Sequence, residues 1–214
     1  QNADPSSVHL PLWGGFSLNG KGDELAPHGD LLEHGAIGLA DDDAVVPLPL
    51  LERGLLLGEM GSCPVLIAPR DPNLQGDGLA REGVETLRAG WAPDPLISEL
   101  LPLQQLLALQ QRHPDRQLRL MNISTAAAVD LLGQADPQLK ASVCWWHLLV
   151  DGSSLSSTDP GCRVRPSLGG AADRLRLRSA LQSGLIQAVA VHAVPLDEED
   201  MSVSYTHLRA HETS

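Results

Sequence analysis

Residues 118–149 carry the pattern that most constrains this chain: an apolar strand, a short helix and a second apolar strand in close succession. Leu118, Leu120 and Ile123 supply the apolar run of a buried strand, and Asn122, Ser124 and Thr125 form the polar turn that follows it. The hydroxyl of Ser124 or Thr125 suits the first free N–H groups of a helix over 126–132, where Ala126, Val129 and Leu132 recur at helical spacing. Pro137 lies in the segment that ends this helix, and a second strand is expected over 141–146, stopping at His147. Two buried strands joined by a helix make a parallel β/α unit, and such folds carry their functional polar residues at the carboxyl ends of strands.

The alternation continues on both sides. Further strands are expected over 8–13, 36–39, 65–68 and 188–192, and helices over 24–34, 48–58 and 173–183. Gly35, Gly61 and Gly184 stand where these helices stop. Leu96, Leu100, Leu103 and Leu107 give one more helix face, running toward His113. Two long loops are expected, over 69–95 with at most a short helix at 82–88, and over 151–166. Both leave the carboxyl end of a strand, as the active-face loops of a β/α barrel do. The expected fold class is α/β: a partial TIM-type (β/α)8 barrel of about six β/α units with the first two missing, occupying 1–202.

Composition narrows the function. A formal charge of −12 excludes a nucleic-acid or anionic-membrane surface, which would require clustered Lys and Arg. No apolar run reaches the length of a membrane span, and residues 1–7 lack the apolar core of a signal peptide, so the expected location is cytoplasmic. Cys63, Cys144 and Cys162 have no ligand-like spacing and read as small buried hydrophobes in a reducing compartment. Gln1 is not an initiator, which suggests a start inside a longer gene. Residues 203–214 are set aside as a non-native tail, because 203–213 back-translates into a string resembling a transposon adapter used in sequencing libraries. His207 and His211, four apart within it, are therefore not read as metal ligands.

Several segments resemble the class I dihydroorotases, metal-dependent β/α barrels of the amidohydrolase superfamily that interconvert carbamoyl aspartate and dihydroorotate. Residues 35–42, Gly-Ala-Ile-Gly-Leu-Ala-Asp-Asp, resemble the family's Gly-Ala-Val-Ala-Phe-Ser-Asp-Asp. Residues 64–71, Pro-Val-Leu-Ile-Ala-Pro-Arg-Asp, resemble Pro-Val-Ile-Val-His-Cys-Glu-Asp. Residues 118–125 resemble Leu-His-Ile-Ala-His-Val-Ser-Thr, and residues 145–148 resemble Pro-His-His-Leu. Residues 163–166, Arg-Val-Arg-Pro, stand for Lys-Val-Asn-Pro, and residues 189–193 for Ala-Thr-Asp-His-Ala. On this register the family's first-strand His-x-His pair and substrate-binding Arg lie upstream of Gln1.

The departures bear on chemistry. Where the resemblance implies two metal-site histidines and a catalytic aspartate, this chain has Ala68, Asn122 and Val191. Catalytic zinc takes three protein ligands from His, Asp, Glu or Cys, and neither Ala nor Val donates a lone pair. The family's zinc is therefore expected to be lost, leaving no cofactor and no catalytic residue.

Asp41, Asp42, His147 and His192 match family positions and each keeps two readings. Asp41 and Asp42, with Asp43, match an acidic metal-bridging position or form a solvated loop or a cap for the helix at Pro47. His147 and His192 flank the family site or are hydrogen-bonded structure. Trp145 and Trp146 either fill space vacated by metal and substrate or belong to ordinary packing. Arg163 and Arg165 either pair with the aspartates or are solvated loop charges. Two function classes remain. One is a non-catalytic dihydroorotase homologue that assembles with aspartate transcarbamoylase or with itself. The other is an active cyclic-amide hydrolase whose altered site combines upstream histidines with Asp41 or Asp42.

Overall fold

The computed structural model describes residues 10–41, 46–155 and 164–191, which divide into two compact units: residues 1–68 with 108–119, and residues 69–107 with 120–214. Cys162, Arg163, Asp42, Asp43, His192 and the tail over 203–214, with its His207 and His211, lie outside the described residues.

In the first unit, parallel strands β1 (Gly14–Gly15), β2 (Leu39–Asp41) and β3 (Val65–Ile67) lie side by side in that order, with α1 (His28–Glu33) and α2 (Leu48–Leu57) between them in sequence. Val65 N donates to Gln117 O at 2.9 Å, which brings in the start of β6 (Leu118–Leu120). Phe16, Leu39, Leu51, Leu55 and Val65 are buried and form the interior.

Three boundaries differ from expectation. The strand expected over 8–13 begins only at Gly14, and Leu10 and Leu12 are exposed. A Cβ on Gly14 would lie 3.0 Å from Leu31 Cδ1, so glycine is small enough to pack there. The helix expected over 24–34 starts at His28, because Glu24 and Ala26 are tied into an antiparallel turn (Leu18 N to Glu24 O 2.8 Å, Ala26 N to Phe16 O 3.1 Å). The strand expected over 36–39 sits a little later, so Asp41 belongs to β2 and not to the loop beyond it.

The second unit contains the end of β6, then α6 (Ala126–Leu132), β7 (Lys140–Cys144), α7 (Trp146–Leu149), α8 (Ala171–Gln182) and β8 (Ala188–Ala190), with strand order β6-β7-β8. β7 and β8 are parallel, Cys144 opposite Ala190. The Thr125 hydroxyl accepts from Ala128 N at 3.2 Å and caps α6. The strand expected to run to Trp146 stops at Cys144, where Trp145 takes helical dihedrals and turns the chain into α7.

The segment expected as a loop over 69–95 is ordered: α3 (Pro72–Gln75), β4 (Ala80–Arg81), α4 (Val84–Ala89) and β5 (Pro93–Asp94), with β4 and β5 pairing in parallel. It leads into α5 (Ile97–Arg112). Pro102 lies inside α5 and cannot donate to the Ser98 carbonyl, which instead accepts from Asp71 N at 2.9 Å. No helix among the described residues is long and apolar enough to cross a membrane.

Candidate functional site

Each strand-end position singled out by sequence has a definite setting. In the first unit, Asp41 closes β2 opposite Ile67, and Ala68 follows Ile67 directly, so the two stand at the carboxyl ends of adjacent strands. Asp41 is buried, and its carboxylate accepts from Phe16 N (2.9 Å), Ser17 N (3.0 Å) and the Ser17 hydroxyl. The solvated-loop and helix-cap readings do not describe Asp41: it is buried, and α2 has no side-chain cap. The carboxylate instead ties down the turn leaving β1. Ser17, the residue that holds it, was not flagged by sequence because nothing in a lone serine after glycines signals a partner 24 residues away.

In the second unit, Asn122 is buried in a left-handed conformation (φ +56°) just past β6. Its N–H donates to Ser142 Oγ at 3.1 Å, and Ile123 N donates to Ser142 O at 2.8 Å. Asn tolerates that backbone better than most residues. Val191 follows β8 and is exposed, next to the point where Trp145 N donates to Ala190 O at 3.0 Å.

His147 lies on α7 and is 2% exposed. Burial drives its pKa down to about 4, outweighing the nearby Ser167 and Pro166 backbone, while the Arg81 charge pushes the same way as burial. His147, Ser124, Asp173 and Arg174 line a narrow crevice with Val150, Leu168 and Leu177. Trp145 and Trp146 stack on each other with ring centroids 4.4 Å apart, and Trp146 packs against Ala80, Leu155 and Leu168. The question left open for Trp146 is answered by that contact: it belongs to a small apolar core. Arg165 is exposed. Cys144 is buried and Cys63 half-buried, both as free thiols, and burial pushes the Cys144 thiol up.

A zinc site needs lone pairs converging on one point. Ala68 and Val191 supply none, and the Asp41 carboxylate spends part of its acceptor capacity on Phe16 and Ser17. Among the described residues no group of three or more His, Cys, Asp or Glu side chains is arranged to hold a metal ion. Among the described residues, then, the strand-end side chains at 41, 68, 122 and 191 do not by themselves make up a zinc site.

A buried polar cluster in the second unit escaped sequence reading. Arg81 pairs with Asp94 (3.1 Å) and Glu99 (3.6 Å), and Glu99 accepts from Ser124 N (2.7 Å) and the Thr125 hydroxyl (2.6 Å). The only hint was a pair of carboxylates, Asp94 and Glu99, beside an otherwise apolar helix start.

No family model matches the chain. A probable dihydroorotase-like protein of Synechocystis sp. is 35% identical over 199 residues, covering 88% of this chain and 45% of that protein. A dihydroorotase of Pelotomaculum thermopropionicum is 28% identical over 203 residues, covering 93% of this chain and 47% of that protein. The chain thus spans about half the length of these curated relatives. Among solved structures, the L-hydantoinase (dihydropyrimidinase) from Arthrobacter aurescens superposes with a TM-score of 0.68 at 20% identity, covering 86% of this chain and 43% of that one, a likeness of fold. By sequence this chain is dihydroorotase-like, and its parallel strand and helix order is that of the hydantoinase fold.

Proposed function

We propose that this chain is part of a non-catalytic dihydroorotase homologue, retained in pyrimidine biosynthesis for a structural or regulatory role. The observation that carries this reading is Ala68, Asn122 and Val191 at the strand ends where the resemblance implies two imidazoles and a carboxylate. The employment of Asp41 supports it further, since an altered site built on upstream histidines and Asp41 would have to take that carboxylate from Ser17 and Phe16. General acid–base catalysis contributes about a hundredfold to ten-thousandfold, and a valine at position 191 has no proton to exchange. An assembly role would be exerted on aspartate transcarbamoylase or on a second copy of the protein.

Elemental analysis of the dialysed full-length gene product, paired with a dihydroorotate hydrolysis assay, tests the reading. The expected result is no stoichiometric zinc and no turnover. One or more zinc ions per chain together with hydrolysis would overturn it. Combining Ala68→His, Asn122→His and Val191→Asp is expected to restore metal binding before activity. Co-purification of the full-length protein with aspartate transcarbamoylase from its native lysate tests the partner, and a lone monomer there would remove the assembly role.

A further inference from the structure

The ordered segment over 70–95 is attached in an unusual way. Of its apolar side chains Ala80 is buried and Trp91 packs partly buried against Ala80, Leu155 and Leu168, while Leu74, Val84 and Leu87 are exposed. The other residues it buries are polar: Gln75, Arg81, Thr86 and Asp94. The Arg81 guanidinium reaches the start of α5, donating from one nitrogen to Ser98 Oγ (2.8 Å) and Pro95 O (3.2 Å), and reaches the end of β6 by donating from the other to Ser124 Oγ (3.0 Å). Its backbone N–H donates to Leu168 O at 3.1 Å, and its carbonyl accepts from the Thr86 hydroxyl at 2.6 Å. Ser98 donates in turn to Asp94 at 2.6 Å. One residue therefore joins β4 to β5, to α5, to the β6 end and to the segment before α8.

We propose that residues 70–95 form a strap over the end of β6, latched by Arg81, that opens as a unit, with the internal Arg81–Asp94 pair intact, when the guanidinium leaves Ser98, Ser124 and Glu99. Two physical points carry this. A segment whose apolar burial is confined to Ala80 and a partly buried Trp91 has limited hydrophobic resistance to local opening. A buried charge pair resists the loss of one partner strongly, because the carboxylates left behind stay desolvated. Opening is then governed by the latch, and it uncovers Ser124 and Thr125, which are 0% and 1% exposed when it is closed. Lysine would not replace Arg81, since a single ammonium lacks the planar fork that spans Ser98 and Ser124. The inference is independent of whether the protein is catalytic.

Hydrogen exchange read by mass spectrometry on the full chain tests it. In Arg81→Met, amides over 70–95 and at 124–125 are expected to exchange at least about tenfold faster, with β7 and α8 unchanged. Ser124→Ala removes one bond and is expected to give a smaller acceleration in the same peptides, so the test survives failure of Arg81→Met to fold. Arg81→Lys is expected to behave like Arg81→Met. Unchanged exchange over 70–95, or equal acceleration throughout the unit, would overturn the proposal.

Discussion

Asp41 and His147 show how one residue's surroundings decide its chemistry. The Asp41 carboxylate accepts from the Phe16 and Ser17 amides and so ties the turn after β1 to the end of β2. His147 is held neutral by burial, and this sets a pH dependence. Its folded pKa of about 4 lies below the ordinary 6.5, so between these values the unfolded chain binds a proton that the folded chain refuses. Stability is therefore undiminished above pH 6.5 and falls as pH drops toward 4, by about 3 kcal/mol for a shift of this size. Asp151, held below its ordinary 3.8 chiefly by the Ser153 hydroxyl, acts in the other window, its contribution being lost only as pH falls further. Urea unfolding across this range should show the decline in the natural sequence and a flatter profile in His147→Gln. An identical slope in the two proteins would assign the effect to other groups.

At the scale of elements, α2 shows how a helix end is completed by a distant side chain. Gly58 ends it in the left-handed conformation (φ +68°) and donates to Gly54 O. Arg116, far along the chain, donates to Leu55 O (3.1 Å), satisfying a carbonyl the helix leaves open, and to Gly61 O (3.0 Å) in the turn beyond it. A Cβ on Gly58 would fall 2.1 Å from the Arg116 guanidinium, so alanine there meets both an unfavourable φ and a collision. Gly58→Ala is expected to cost about 1–2 kcal/mol from the backbone conformation alone, plus whatever the displaced guanidinium loses. Comparing denaturant midpoints of Gly58→Ala and Gly58→Ala/Arg116→Ala separates the two, because the double variant should not add the full cost of losing Arg116.

For the molecule as a whole, β8 is where association should begin. It pairs with β7 along one side, has no strand on its other side among the described residues, and leaves Val189 and Val191 exposed at 45% and 67%. An apolar strand edge is a template for another chain, and the net charge of −12 opposes association only at low salt. Sedimentation velocity on the 214-residue chain is expected to show concentration-dependent association that strengthens with salt and weakens in Val189→Lys. A single monomeric species at every concentration would refute this.

Much of the element order could be read from residues 118–149 and their repeats, because strand and helix periodicity are local properties of the chain. α2, β3, α5, α6 and α8 fall close to where apolar spacing places them. The identities at positions 68, 122 and 191 were equally legible, since the lack of a lone pair on Ala68 and Val191 and of an imidazole on Asn122 is a property of the residue. Partners were not. The segment over 70–95 has weak periodicity because it buries polar groups, so its order depends on Arg81 finding Asp94, Glu99 and Ser124. The same holds for Asp41, whose role required Ser17 to be brought across from the neighbouring strand. Apolar burial is announced by pattern, whereas a hydrogen bond between distant segments is specified by two positions whose pairing only the folded chain selects.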